Sequence, residues 1–185
     1  ASQAYSNWIK TDPPHAGQTV KKAVGQNGRN STSALMKSNA DTSSQANGAL
    51  MRSVPIGLLG VGGDAEKTIL NAGLDASLSH PHPACIAINQ AYVDMIRHAI
   101  ETGASCSELF QYGLLRWSDT GPLGVVGDCF NRAKYAPPAD FEDRSGWVVT
   151  AFHNALFHLA KGHEFKRAVL ETISSGGDMD TNAAI

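Results

Sequence analysis

The chain has 185 residues, 42% of them hydrophobic and 17% charged, which fits one globular domain, spanning residues 1–185, around a single sizeable core. A net charge of −2 gives no field that would gather nucleic acid or an anionic membrane surface. No apolar run approaches the roughly 18 residues of a membrane-spanning helix, and no leader peptide is visible, although the chain opens at Ala1 rather than methionine, as a processed chain does.

In chain order, residues 26–46 are rich in Asn, Ser, Gly and Thr and read as a loop. Residues 42–57, TSSQANGALMRSVPIG, pass from small polar residues through Asn47-Gly48 into an apolar run. Such a turn can offer backbone N–H groups to an anion, with the Asn47 side chain on a sugar hydroxyl or phosphate. A plain Asn-Gly turn before a helix is the alternative. Residues 54–61 are apolar but interrupted by proline and glycine, and read as a broken strand or a short buried helix.

Asp64 is placed to cap a helix running to about Leu78. His80 and His82 precede the strongest periodic segment. His80 can hydrogen-bond a ligand or hold a metal, or serve as a structural hydrogen-bonding residue. From Pro83 to Gly103 the apolar positions Ala84, Ile88, Ala91, Tyr92, Met95, Ile96 and Ala99 recur at three and four, which predicts a helix that Gly103 ends. Ser105 and Glu108 predict a capping box for a helix to about Trp117.

Residues 119–143, rich in Gly, Pro and Asp, read as a second loop. Trp147 opens a helical stripe to Ala160, and Phe165, Ala168, Val169 and Ile173 mark another. Trp147 is placed either to stack on a ligand or to pack in the core. His153, His158 and His163 line up along one predicted helix, but five apart is a poor metal spacing there, so they read as surface or packing residues. Together these segments predict an all-α compact bundle of about seven to nine helices.

The last stretch, SSGGDMDTNAAI, puts Asp178, Asp180 and Thr181 behind Gly176-Gly177. Three oxygen-bearing side chains within four residues suit a hard divalent cation, and the glycines permit the turn that would aim them at one point. One N-capping Asp and one solvated first-turn acid is the other reading of the same string. This loop alone does not fill a magnesium shell, which needs about six oxygens, several of them from water.

Cys85, Cys106 and Cys129 are an odd count at wide spacings, with neither a zinc pattern nor a disulfide framework. They point to a reducing, cytoplasmic setting.

The order NGALMRSVPIG, SLSHPHP, SGWVVTAFHNAL, GGDMDTNAAI resembles the ADP-ribosylglycohydrolase family, which includes the dinitrogenase reductase-activating glycohydrolases. Residues 5–24, YSNWIKTDPPHAGQTVKKAV, look like that family's tryptophan-bearing segment and its D-x-G-x-T loop, so the resemblance covers most of the chain. It implies an all-α orthogonal bundle with two divalent cations, Mg2+ or Mn2+. It also implies hydrolysis of the bond joining ADP-ribose to a modified side chain, often arginine, in a protein or a small ADP-ribosyl compound. By resemblance, Asp178, Asp180 and Thr181 fall on metal ligands, with Asp180 a possible bridge and a candidate catalytic group. Ser44, Gln45, Ala46, Asn47 and Gly48 fall on the loop that holds the ADP-ribose phosphates and ribose. His80 falls on a ligand-contacting histidine and Trp147 on an aromatic position beside the nucleotide.

Three departures qualify the match. A segment carrying G-x-x-x-GD-x-x-G and a DDT-type triplet, with further metal ligands and the catalytic acid, is absent. The chain stops inside the final helix. His15 and Gln18 stand where relatives often carry Asp and Asn. The resemblance therefore implies a chain incomplete at both ends, whose missing part belongs to the same protein or to a second chain. A degenerate homologue that binds ADP-ribose without turnover, or is purely structural, is the alternative function.

Overall fold

The computed structural model describes residues 1–119 and 124–185. The architecture is all-α, as the sequence predicts. Among the described residues eleven α-helices run in order: α1 (Ser2–Lys10), α2 (Gln18–Val24), α3 (Ser33–Asn39), α4 (Val54–Leu59), α5 (Ala65–Ala76), α6 (Pro83–Thr102), α7 (Cys106–Trp117), α8 (Val125–Ala133), α9 (Val148–Ala160), α10 (Phe165–Ser174) and α11 (Met179–Ala183). Two 3-10 turns, Gln26–Gly28 and Asn47–Ala49, join them. Among the described residues β pairing is limited to one antiparallel bridge, between Ala46 and Trp147.

The 20-residue α6 is the axis of the fold. Pro83 stands in its first turn, and His82 caps it by accepting the Ala84 N–H at Nδ1, 3.2 Å away. Its inner face, Ile88, Ala91, Tyr92 and Met95, meets Phe110 and Trp117 of α7, Val126, Cys129 and Phe130 of α8, and Val148, Phe152 and Leu156 of α9 in one core. Phe130 stands edge-on to both Phe110 and Phe152, with ring centroids 5.4 and 6.0 Å apart. The Asp64 cap on α5 and the Ser105–Glu108 capping box on α7 both form as expected. A smaller cluster, Val24, Met36 and Leu78 with Tyr5, Ile9 and Val20, gathers the N-terminal helices against the end of α5.

Both predicted loops contain helices. Residues 26–46 include α3, capped by Thr32, whose hydroxyl oxygen accepts the Leu35 N–H. Met36 is its one buried residue, so two turns carry a single anchor and no readable period. Residues 119–143 include α8, whose buried Val126, Cys129, Phe130 and Ala133 do follow helical spacing. Gly127 and Asp128 obscured that stripe. Gly127 is required because a Cβ there would lie 2.0 Å from the Ser118 carbonyl oxygen. The part of this predicted loop at residues 120–123 lies outside the described residues. The apolar run at 54–61 resolves as the short helix α4, packed on α6. All three cysteines are free thiols, and among the described residues no helix is long and apolar enough to cross a membrane.

Candidate active site

A cleft of about 670 Å³ opens where α1, the 15–20 loop, the Asn47 turn and α11 meet, a size suited to a small-molecule ligand. Its walls are Tyr5 and Trp8 of α1, His15 to Val20, Ala46 to Gly48, Met51, Arg52 and His80, with Gly146, Asp178, Asp180 and Thr181 beside them. The structure thus brings together five residues the sequence singles out near its middle and end, Ala46, Asn47, Gly48, His80 and Asp178, along with Asp180 and Thr181.

The acidic loop is shaped by its glycines. Gly176 and Gly177 have φ of 80° and 66°, in the left-handed region, and a Cβ on Gly177 would sit 2.3 Å from Ser145 Oγ. Only glycine satisfies both demands, and the turn then enters α11 with Asp178 at its N-cap position. The Asp178 carboxylate does not cap: it makes no bond to the helix backbone. Asp178 Oδ2 instead accepts from Asn47 Nδ2 at 3.0 Å. Asp180 is exposed and makes no hydrogen bond or ion pair among the described residues. Thr181 is buried on the inner side of the same short helix.

Asn47 is the hub that joins three separate segments. It is 4% exposed, and its amide group also reaches Ser145 O at 3.1 Å and Asn182 Oδ1 at 3.2 Å. Asn182 Nδ2 donates to the same Ser145 carbonyl at 2.9 Å. The Asn47 N–H goes to Gly146 O at 3.0 Å. The Asn47 amide nitrogen is therefore spent inside the protein, on Asp178 and the residues beside it.

Ser44, Gln45 and Trp147 do not line the cleft; they fasten its back. Trp147 donates its indole N–H to Gln45 Oε1 at 3.0 Å, while the Val148 N–H donates to Gln45 O at 2.8 Å. Arg144 covers the Trp147 ring at 5.3 Å. Ser44 Oγ lies 2.9 Å from Thr19 Oγ1 and so ties the 15–20 loop to the Asn47 turn.

His80 is 1% exposed, with Nδ1 2.8 Å from Ser79 Oγ. Burial, helped by the nearby Arg52 charge, pushes its pKa down to about 3, so the ring is neutral across the physiological range. Nε2 makes no hydrogen bond among the described residues and lies against Gly48 on the cleft wall.

Tyr5, Trp8 and Arg52, which stand in family-like segments of the sequence without an assigned role, complete the walls. Arg52 donates through Nε to Asp75 Oδ2 at 3.2 Å and through NH2 to Asp75 O at 3.2 Å, and its guanidinium covers the Tyr5 ring at 4.6 Å. Tyr5 donates its hydroxyl to Asp75 at 2.8 Å, and burial raises its pKa to about 12. Trp8 is 41% exposed in the cleft wall, the open aromatic face that Trp147 does not provide. An exposed tryptophan at an amphipathic helix position was the available signal.

The donor set at the acidic loop is hard oxygen only, and no Lys or Arg neutralises Asp178 or Asp180 among the described residues. That combination suits a hard divalent cation in kind.

A protein of Acanthamoeba polyphaga mimivirus, provisionally named ADP-ribosyl glycohydrolase, is 28% identical over 204 residues, covering 100% of this chain and 60% of its own length. The ADP-ribosyl-dinitrogen reductase glycohydrolase of Rhodospirillum rubrum is 24% identical over 191 residues, covering 99% of this chain and 56% of its own. The chain thus spans under two thirds of the length of either relative. No solved structure gives a significant match. The profile of the ADP-ribosylglycohydrolases matches residues 1–185 throughout, and with an all-α fold that gathers the motifs of that family around one cleft, the chain belongs to the ADP-ribosylglycohydrolase family.

Proposed function

We propose that the protein hydrolyses the glycosidic bond between ADP-ribose and a modified side chain, arginine foremost, with Mg2+ or Mn2+ held in part by Asp178, Asp180 and Thr181. The observation that carries this reading is a pair of carboxylates without cationic partners at the edge of a ligand-sized cleft, in a chain of this family. Both relatives are named as ADP-ribosyl glycohydrolases, which supports the reaction class.

Cleavage at the ribose anomeric carbon builds positive charge on the sugar as the leaving group departs. A bound divalent pair supplies orientation of the ribose hydroxyls and a water of lowered pKa. The chain's own residues then have separate tasks. Asn47 holds Asp178 in place, so its contribution is to position a ligand rather than to touch the sugar. Neutral His80 offers Nε2 to a hydroxyl without adding charge to the cleft. Trp8 offers a stacking face for a purine. Asp180, exposed and without a partner among the described residues, would hold the metal together with Asp178.

The test uses the full-length protein with an ADP-ribosylated arginine substrate. Metal-dependent release of ADP-ribose, abolished by a chelator and lowered about 100-fold by Asp180→Ala, is the expected result. Calorimetric binding of ADP-ribose with no release under any divalent ion would establish the binding-protein alternative. Absence of both sinks the assignment of the cleft.

A further inference from the structure

His158 and His163 do not share one helix. α9 ends at Ala160, and Gly162, at φ 62°, reverses the chain so that the His163 N–H donates to His158 O at 3.0 Å. The two imidazoles then converge, with Nδ1 to Nδ1 at 2.9 Å. From α10, Glu171 Oε2 approaches them at 3.7 Å from His158 Nδ1 and 3.4 Å from His163 Nδ1.

We propose that His158, His163 and Glu171 form a second metal site, for a transition metal of the zinc class, apart from the cleft and pinning α10 to α9. The three donor atoms lie within 4.8 Å of one another. A tetrahedral ion with bonds of about 2.0–2.1 Å holds its ligand atoms about 3.3–3.4 Å apart. The observed 3.4 Å already meets that spacing, and the other two separations need shifts of a few tenths of an ångström. The donor set, two imidazoles and one carboxylate, suits zinc, cobalt or nickel and not magnesium.

The surroundings favour ligation by Nδ1. His158 Nε2 lies 3.4 Å from Thr172 Oγ1, an oxygen that already accepts from Asn154 Nδ2 at 2.9 Å. The Thr172 hydroxyl can accept a proton carried on Nε2, and in that tautomer Nδ1 is bare for a metal. Arg167 donates to the other Glu171 oxygen, Oε1, at 2.7 Å and so orients the carboxylate. His158 is buried, while His163 and Glu171 are partly exposed, which leaves a route for the ion and a position for water. α10 runs on through Ser175 to the glycine turn before Asp178, so an ion here would steady the helix that delivers the acidic loop.

Zinc-binding calorimetry on the chelator-stripped, full-length protein tests this, in excess magnesium so that oxygen-rich sites are filled. His163→Gln is expected to weaken one zinc site by at least about 100-fold and Glu171→Gln by at least about 10-fold, since losing a ligand costs no less than the roughly 10–100-fold of losing an outer-shell partner. Asp180→Ala is expected to leave that site intact. Cobalt(II) should give a visible-range spectrum in the wild type that His163→Gln lacks. No zinc uptake by the wild type overturns the proposal. So does equal affinity in His163→Gln, or a site lost with Asp180→Ala and kept with His163→Gln. Should His163→Gln fail to fold by circular dichroism, Glu171→Gln, at a side chain 43% exposed, decides the question alone.

Discussion

Two groups of carboxylates in this molecule have opposite surroundings. Asp94, inside α6, is fully buried, yet both its oxygens are spoken for: Arg97 NH2 donates to Oδ1 at 3.1 Å, and Tyr112 OH, Arg116 Nε and Trp117 Nε1 donate to Oδ2 at 2.9, 2.7 and 3.0 Å. Asp178 and Asp180 sit at the cleft with one internal hydrogen bond between them and no cation. A buried charge survives only when paired and hydrogen-bonded, so Asp94 has no capacity left and serves as the bolt between α6 and α7. The acidic loop keeps its capacity. Unspent carboxylate oxygens at a cleft, rather than acidity itself, separate a candidate site from a structural network.

Breaking the saturated side should cost most. Asp94→Asn leaves Arg97, Arg116 and two neutral donors without their anion, and is expected to destabilise the fold by about 3–5 kcal/mol. Urea unfolding measures it. A cost below about 1 kcal/mol would show the network to be decorative.

The unsaturated side should lose function instead. Asp180→Ala is expected to lower kcat/KM by about 100-fold, roughly 2.7 kcal/mol of barrier, while moving the unfolding midpoint by no more than a surface substitution does, about 0.5 kcal/mol. A matching fall in stability would put Asp180 in the structural class.

Asn47→Ala falls between the two. It removes the donor to Ser145, Asp178 and Asn182 and is expected to cost about 1–3 kcal/mol of stability. Divalent-metal affinity should also drop by about 10-fold through the loosened Asp178. Metal titration of the folded variant reads the second effect, and unchanged affinity would limit Asn47 to holding the fold together.

The smallest effect concerns pH. His80 has a folded-state pKa of about 3 against about 6.5 unfolded. The unfolded chain therefore takes up a proton first, and stability falls as pH drops below about 6.5, approaching about 1.4 kcal/mol per pH unit from this residue. Burial also lowers the pKa of His153 and His158, which add in the same direction. Between pH 6 and 5, His80→Gln should flatten the stability profile by up to one proton's slope. An unaltered slope would mean His80 charges in the folded state.

Much of the fold was legible. The helices α5, α6, α7, α9 and α10 have ten residues or more, enough for an apolar stripe to repeat, and there are clear end signals at Asp64, Pro83 and Ser105. The helices α3 and α11 are two turns or fewer. A single anchor such as Met36 makes no period, and these segments are helical because the rest of the protein holds them. Of the candidate site, the chain order of motifs identified Asn47, His80, Asp178, Asp180 and Thr181 as a set that the cleft brings together. That order did not reveal that Trp147 and Gln45 bond to each other behind the cleft, or that Tyr5, Trp8 and Arg52 line its front.

By itself the sequence determined the all-α class, the long helices and their caps, and the family, because periodicity, capping and motif order are local or linear properties of a chain. Only the tertiary structure decided which polar groups are spent and which are free. Asn47 contacts Asp178 across 131 positions, and His163 meets His158 only because Gly162 turns the chain back after α9. Saturation of a hydrogen-bonding group depends on what lies within about 3 Å of it, and no spacing along the chain encodes that.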